Sequence, residues 1–221
     1  MIINFITIFP EFVESFTTFG LIKKALKKNL IEFNIISLRD FSNDNHNRVD
    51  DKPYGGGPGM LLRYEPIKNA IDSLGNNPYN IYLSPQGKKI NRDILHKFLN
   101  MPEITLICGR YEGIDQRIID NHIDEEISIG DYVISGGELA AMVMLEALVR
   151  RIPGVPEDKD SILSESFEDG ILDYPQFSRP EIVNGISVPK VLLKGNHEDI
   201  RKWRRKMSLG ITLSKRPDLL K

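Results

Sequence analysis

The stretch Leu106–Leu139, LICGRYEGIDQRIIDNHIDEEISIGDYVISGGEL, decides the fold. It holds two glycine-bearing turns, CGRYEG (Cys108–Gly113) and IGDYVISGGEL (Ile129–Leu139), each following an apolar, β-branched run. A strand that ends in a glycine turn presents bare backbone amides, and glycine lets a ligand approach them closely. Two such turns, separated by the helical pattern of Gly113–Asn121, place neighbouring strands whose loops can meet over one ligand.

Working outward, the same alternation recurs. Ile2–Ile8 and Ile31–Leu38 read as strands, and a strand over Tyr79–Leu83 ends in the Pro/Gly turn SPQG (Ser84–Gly87). Ile104–Cys108 and Ile123–Ile129 complete the set. Between them lie helical patterns after Pro10, at Leu21–Leu30 with a lysine-rich outer face, at Glu65–Leu74, and at Asn91–Leu99 with Asn91 as cap. Gly137–Arg151 is apolar nearly all round and should be buried. Strands alternating with helices predict an α/β domain with a largely parallel sheet, which binds ligands beyond the carboxyl ends of its strands. SPQG, CGRYEG and IGDYVISGGEL all sit at such ends, which predicts one shared site.

Two segments break the pattern. Arg39–Gly59, ending in GGGPG, is long, polar and without period, and reads as a loop that grips a substrate. It is not a phosphate-binding P-loop, because Met60-Leu61 stands where that motif needs Lys-Ser/Thr. Ile152–Asp160 reads as a linker, followed by a proline-punctuated, then helical, tail.

Composition bounds the rest. A chain of 221 residues that is 41% hydrophobic and 27% charged is an ordinary globular protein. The single cysteine, Cys108, excludes an intrachain disulfide framework and a cysteine-based zinc site, and its place at the end of an apolar run predicts a buried strand residue. No stretch approaches the ~20 apolar residues that span a bilayer, and the N-terminus lacks the pattern of a signal peptide, so a cytoplasmic location is expected. Net charge is −2, yet Lys190–Lys221 carries ten Lys/Arg against three Asp/Glu. A basic tail on an acidic body points to a polyanionic partner. GxGxxG after a strand, HExxH, paired CxxC and GxSxG are all absent, and His46, His96, His122 and His197 lack ligand spacing. The chemistry must use carboxylates, arginines and backbone amides.

Seven blocks, PYGGGPGM (Pro53–Met60), SPQGKK (Ser84–Lys89), CGRYEGID (Cys108–Asp115), GDYVISGGEL (Gly130–Leu139), RIPGV (Arg151–Val155), SRPEI (Ser178–Ile182) and GNHEDIRKWR (Gly195–Arg204), occur in order over nearly the whole chain. Together they resemble the bacterial tRNA (guanine-37-N1)-methyltransferases of the SPOUT class. The resemblance implies a mostly parallel α/β sheet flanked by helices and ending in a deep C-terminal trefoil knot over residues 1–156, a linker over 157–168, and a small, mainly helical, basic tRNA-binding domain over 169–221. It implies S-adenosylmethionine as cofactor, with room for Mg2+ but no dedicated protein site for it. It also implies a homodimer with composite active sites, acting on tRNA that carries G at position 37.

Carried over by motif position, cofactor contacts fall on Tyr82, Leu83, Ser84, Pro85, Gly109, Glu112, Gly113, Ile129, Gly130, Tyr132, Ile134, Gly136 and Gly137. By the resemblance the family's general base falls on Glu165, in SESF; the family typically has aspartate there, so the carboxylate stands here on a longer arm. Its arginine near the transferred methyl falls on Arg150, with Arg151 adjacent. Contacts to tRNA fall on Arg48, Asp50, Gly55, Pro58 and Gly59 in the loop, and on Arg201, Arg204 and Arg205 in the tail. Two other readings compete: a methyltransferase of the same class acting on another RNA site, and a non-enzymatic RNA-binding protein on a degraded site. The GGGPGM block and the GNHEDIRKWR tail weigh against the first, and the intact glycine turns against the second.

Overall fold

The β-branched and aromatic run Ile2–Thr7 forms β1, an interior strand of a sheet that must be covered on both sides because its residues are apolar on both sides. In the computed structural model, which describes residues 1–75, 78–157 and 165–220, β1 pairs in parallel with β2 (Glu32–Ser37) and β6 (Glu103–Cys108). Beyond β6 lie β5 (Tyr79–Lys89) and β7 (Glu125–Ser128), giving the all-parallel order β2-β1-β6-β5-β7. Consecutive side chains separate into two cores. Phe5, Ile81, Leu83 and Leu106 pack on one face with residues from the helices α1 (Pro10–Phe16), α2 (Gly20–Lys27), α4 (Arg92–Leu99) and α6 (Gly137–Val149). Ile6, Tyr82 and Ile107 pack on the other with α3 (Tyr64–Ser73) and α5 (Gln116–His122).

Three elements differ from their sequence pattern, each for a local reason. SPQG is not a plain turn. β5 swings out after Leu83, which pairs with Ile127, and rejoins β7 with Lys88 also on Ile127 and Lys89 on Ser128. Gly87 makes this possible: a Cβ there would lie 2.4 Å from the backbone of Glu126 and Ile127. Next, α5 begins later than expected, at Gln116, because Gly113 and Asp115 are spent on backbone hydrogen bonds with Leu62 and Asp115 caps the helix. Finally, Arg39–Gly59 is ordered at both ends. A 3-10 turn covers Leu38–Phe41, and β3 (Asp50–Asp51) pairs antiparallel with β4 (Leu61–Leu62) just past the glycines. The lysines of α2 are more than a solvated face, since Lys24 pairs with Glu157 at 2.8 Å and Lys28 donates to the Gly154 carbonyl at 2.8 Å.

The chain divides into two compact units, Met1–Glu157 and Asp158–Lys221. In the second, Asn184 and Gly185, both at positive φ, turn a small hairpin between Ile182–Val183 and Ile186–Ser187. A helix spanning His197–Lys215 follows, with Asn196 capping two of its first amides. Phe177 packs near Trp203, and the Arg204 guanidinium lies 4.5 Å over the Tyr174 ring. Among the described residues no helix is long and apolar enough to cross a membrane.

If the two cores carry the first unit, Phe98→Ala should lower unfolding free energy by roughly 3–5 kcal/mol, whereas Phe19→Ala at a 72% exposed position should stay within about 0.5 kcal/mol. Denaturant titration of both variants makes the comparison; equal losses would contradict this account of the core.

Candidate active site

The stretch where β5 swings out and the loops that leave β6 and β7 meet over one cavity of about 190 Å³. Tyr82, Leu83, Ser84 and Pro85 come from β5. Gly109, Glu112 and Gly113 come from the turn after β6, and Ile129, Gly130, Tyr132, Ile134, Gly136 and Gly137 from the segment between β7 and α6. All thirteen residues carried over for the cofactor therefore line a single space. Arg110, Tyr111, Ile127, Ser128, Val133, Ser135 and Ala140 line it too. Those seven went unnamed in the sequence, although all but Ile127, Ser128 and Ala140 lie within the CGRYEG and GDYVISGGEL blocks.

Glycine lets the walls come together. Gly137 donates to the Gly109 carbonyl at 2.8 Å, and Arg110 pairs with Gly136 in an antiparallel bridge. A Cβ at Gly137 would fall 2.8 Å from the Cys108 Cα, and one at Gly136 only 2.1 Å from Arg110 Nε. Opposite, Gly109 faces the Tyr82 ring, with 2.8 Å between a hypothetical Cβ and the ring edge. Burial first, then the charge of Glu126 across the strand pair, pushes the Tyr82 phenol up to about 12. Cys108 is buried on β6, and burial followed by the Glu138 charge pushes its thiol well above the ordinary range. It is a strand residue held as a neutral thiol.

The loop ahead of β4 reaches this cavity at one point. Gly59 lies against Glu112, where an added Cβ would stand 2.5 Å from the carboxylate, and Glu112 donates its amide to the Met60 carbonyl at 3.0 Å. Gly55 and Pro58 are exposed, and Asp50 is half-buried on β3. Arg48 is exposed, with Nε and Nη2 donating to Asp44 at 2.8–3.2 Å; that guanidinium holds the Asp44 carboxyl well below its ordinary range. Arg150 does not line the cavity. It is the half-buried C-cap of α6, ten residues beyond Ala140, or about 15 Å along the helix.

In the second unit, half-buried Glu165 lines another cavity, of about 300 Å³, together with Asp169, Asp173, Arg201, Arg204 and Arg205. Arg205 stands 3.6 Å from Asp169. The carboxylate and the three arginines carried over by resemblance thus share one wall system. Among the described residues no cluster of three or more His, Cys, Asp or Glu is arranged for a metal ion.

A family model described as tRNA (Guanine-1)-methyltransferase TrmD matches residues 1–221. The chain belongs to that family. Its similarity to individual members covers nearly the whole length of both partners. It is 54% identical over 222 residues to the tRNA (guanine-N(1)-)-methyltransferase of Buchnera aphidicola subsp. Acyrthosiphon pisum, covering 99% of this chain and 94% of the relative. It is 50% identical over 223 residues to that of Aromatoleum aromaticum, covering 97% and 85%, and 49% identical over 224 residues to that of Shewanella sp. strain W3-18-1, covering 100% and 90%. Membership implies a methyl donor, and the glycine-walled cavity gathers residues from β5, from the turn after β6 and from the stretch leading into α6.

The Tyr82 environment is directly measurable. Because the folded-state value lies above the ordinary 10, the neutral phenol is favoured in the folded protein; the stability it contributes is complete below pH 10 and is lost as pH rises through about 12. The absorbance difference between wild type and Tyr82→Phe should show one phenol ionising near pH 12, and ionisation near the ordinary 10 would contradict the buried setting.

Proposed function

We propose that this protein transfers a methyl group from S-adenosylmethionine to N1 of guanine 37 in tRNA. The observation that carries the reading is the convergence of the outward swing of β5 and the loops after β6 and β7 on one cavity in a chain of this family. The residues present fit the cofactor. Leu83, Ile129, Ile134 and Ala140 give apolar walls for a purine ring, the glycine turns bring backbone groups to its polar edge, and Glu112 can accept hydrogen bonds from hydroxyls or an amine. S-adenosylmethionine, when bound, supplies an electrophilic methyl on a sulfonium.

The chain's own residues then have two tasks. They must hold N1 in line with that methyl, and they must receive the N1 proton. Glu165 is the proposed base. Arg150 is proposed to hold the O6 edge of guanine or a neighbouring phosphate, because a planar guanidinium can serve two acceptors. The loop residues Arg48, Asp50, Gly55, Pro58 and Gly59, and the helix residues Arg201, Arg204 and Arg205, are proposed to grip the tRNA. Phosphate contacts of that kind make binding salt-sensitive.

Arg150 lies too far along α6 to act at the cavity of its own chain, which favours a homodimer whose sites combine two copies. The apolar residues Phe12 and Phe16 of α1 and Leu139 and Val143 of α6, all partly exposed on two helices that pack together, support such an interface. The close backbone approaches at Gly87 and Gly137 support a knotted course for the segments around the cavity. In this reading residues 1–156 form the methyltransferase domain, 157–168 the linker and 169–221 the tRNA-binding domain, working in the cytoplasm.

Incubation with labelled S-adenosylmethionine and tRNA transcripts bearing G or A at position 37 decides the matter: methyl should pass to the G transcript alone. Transfer to both, or to neither while the donor binds, would sink the proposal. Glu165→Gln should lower turnover by about 10²-fold or more with donor affinity preserved. Unchanged turnover would remove Glu165 from the role. For the composite site, chains carrying Glu165→Gln should regain activity when mixed with chains carrying Gly137→Val, which cannot form the cavity; continued inactivity of the mixture would argue for sites built within one chain.

A further inference from the structure

α6 opens with a buried carboxylate. The Glu138 side chain is 1% exposed, and its two oxygens reach different elements. Oε1 accepts from the Thr7 hydroxyl at 2.7 Å, at the end of β1, and Oε2 accepts from Arg110 Nε at 2.9 Å, in the turn after β6. Each partner is itself held. Thr7 Oγ1 accepts from the Phe9 amide at 3.0 Å, while the Arg110 guanidinium lies 4.5 Å over the Phe9 ring and donates from Nη1 to the Ser135 carbonyl at 3.3 Å. A charge this deeply buried is retained only where its partners satisfy it.

We propose that Glu138 is a positioning residue for the methyl-donor site, fixing through Arg110 and Thr7 the separation of the two glycine turns that wall the cavity. The inference rests on the reading of that cavity as the donor site. Glu138 does not line the cavity, whereas Arg110 does. The backbone contacts of Gly136 and Gly137 with Cys108–Arg110 bring the turns together, and only glycine tolerates that approach. One backbone hydrogen bond and one isolated bridge join the two turns, and no regular ladder extends that pairing. The carboxylate adds side-chain ties to it. It ties the first turn of α6 to the turn after β6 and to the end of β1, three strand- or helix-anchored points, through charge-assisted hydrogen bonds. Its place in the first turn of α6 also sets the negative charge against the positive end of the helix dipole.

The test uses the full-length protein, S-adenosylhomocysteine as the calorimetric probe, and a G37 tRNA transcript in filter binding. Glu138→Gln keeps the size and the Thr7 contact but confronts Arg110 with a neutral, misoriented partner. Arg110→Lys keeps the charge but cannot hold the carboxylate, the Ser135 carbonyl and the Phe9 ring together, and it carries the same test if Glu138→Gln does not fold. Each variant should weaken the probe by about tenfold, the scale on which loss of a supporting partner loosens a ligand site. Affinity for tRNA should stay at the wild-type value, and the double variant should lose little beyond either single one, as expected for one shared interaction. Wild-type affinity for the probe in a folded variant would overturn the clamp and leave the donor site standing. Equal losses for probe and tRNA would reduce Glu138 to general stability and overturn it as well. Failure of the wild-type protein to bind the probe would overturn the reading of the cavity, and the clamp with it.

Discussion

Backbone packed directly on backbone is the constraint on which the rest depends. Cys108–Gly109 at the end of β6 and Gly136–Gly137 at the start of α6 lie so close that no side chain fits between them. A buried parallel sheet puts its strand ends together, but side chains ordinarily keep the connecting loops some ångströms apart. Glycine removes that spacing here. It is used the same way at Gly87, where β5 presses on β7. The result is a cavity with main chain at its glycines and side chains such as Leu83, Ile129 and Ile134 between them.

The sheet was readable in the sequence because its strands are buried on both faces. Runs such as Ile2–Thr7 and Glu103–Cys108 carry a strong apolar signal whatever lies next to them. Element ends were less readable, since long-range contacts fix them. The continuation of β5 through Ser84–Lys89 looks like a turn, and only β7, about forty residues later, gives it a pairing partner. Likewise the lysines of α2 look like a solvated face until Gly154 and Glu157 come back to meet them.

The candidate site was readable as motifs and silent as geometry. Motif position gathered thirteen residues that line one cavity, because glycine turns at strand ends are a local signal. It passed over Glu138, which sits in a segment that reads as apolar nearly all round; its partner Thr7 is 131 residues away in sequence. Nor could spacing reveal that Arg150 ends its helix well away from the cavity, or that Glu165 shares a wall with Arg201, Arg204 and Arg205. Such relations belong to tertiary structure and leave no period or composition to read.

The contact of Gly59 with Glu112 joins a loop to a cavity wall. The Glu112 carboxylate stands beside the loop and also lines the cavity, so the two places share one group. Whatever occupies the cavity and draws the Glu112 side chain toward it relieves or tightens the seat of Gly59. Any such linkage is mutual, so a molecule seated on the loop alters affinity in the cavity by the same factor. A residue with a side chain at position 59 would meet that carboxylate, so the loop and the cavity wall could no longer keep this spacing.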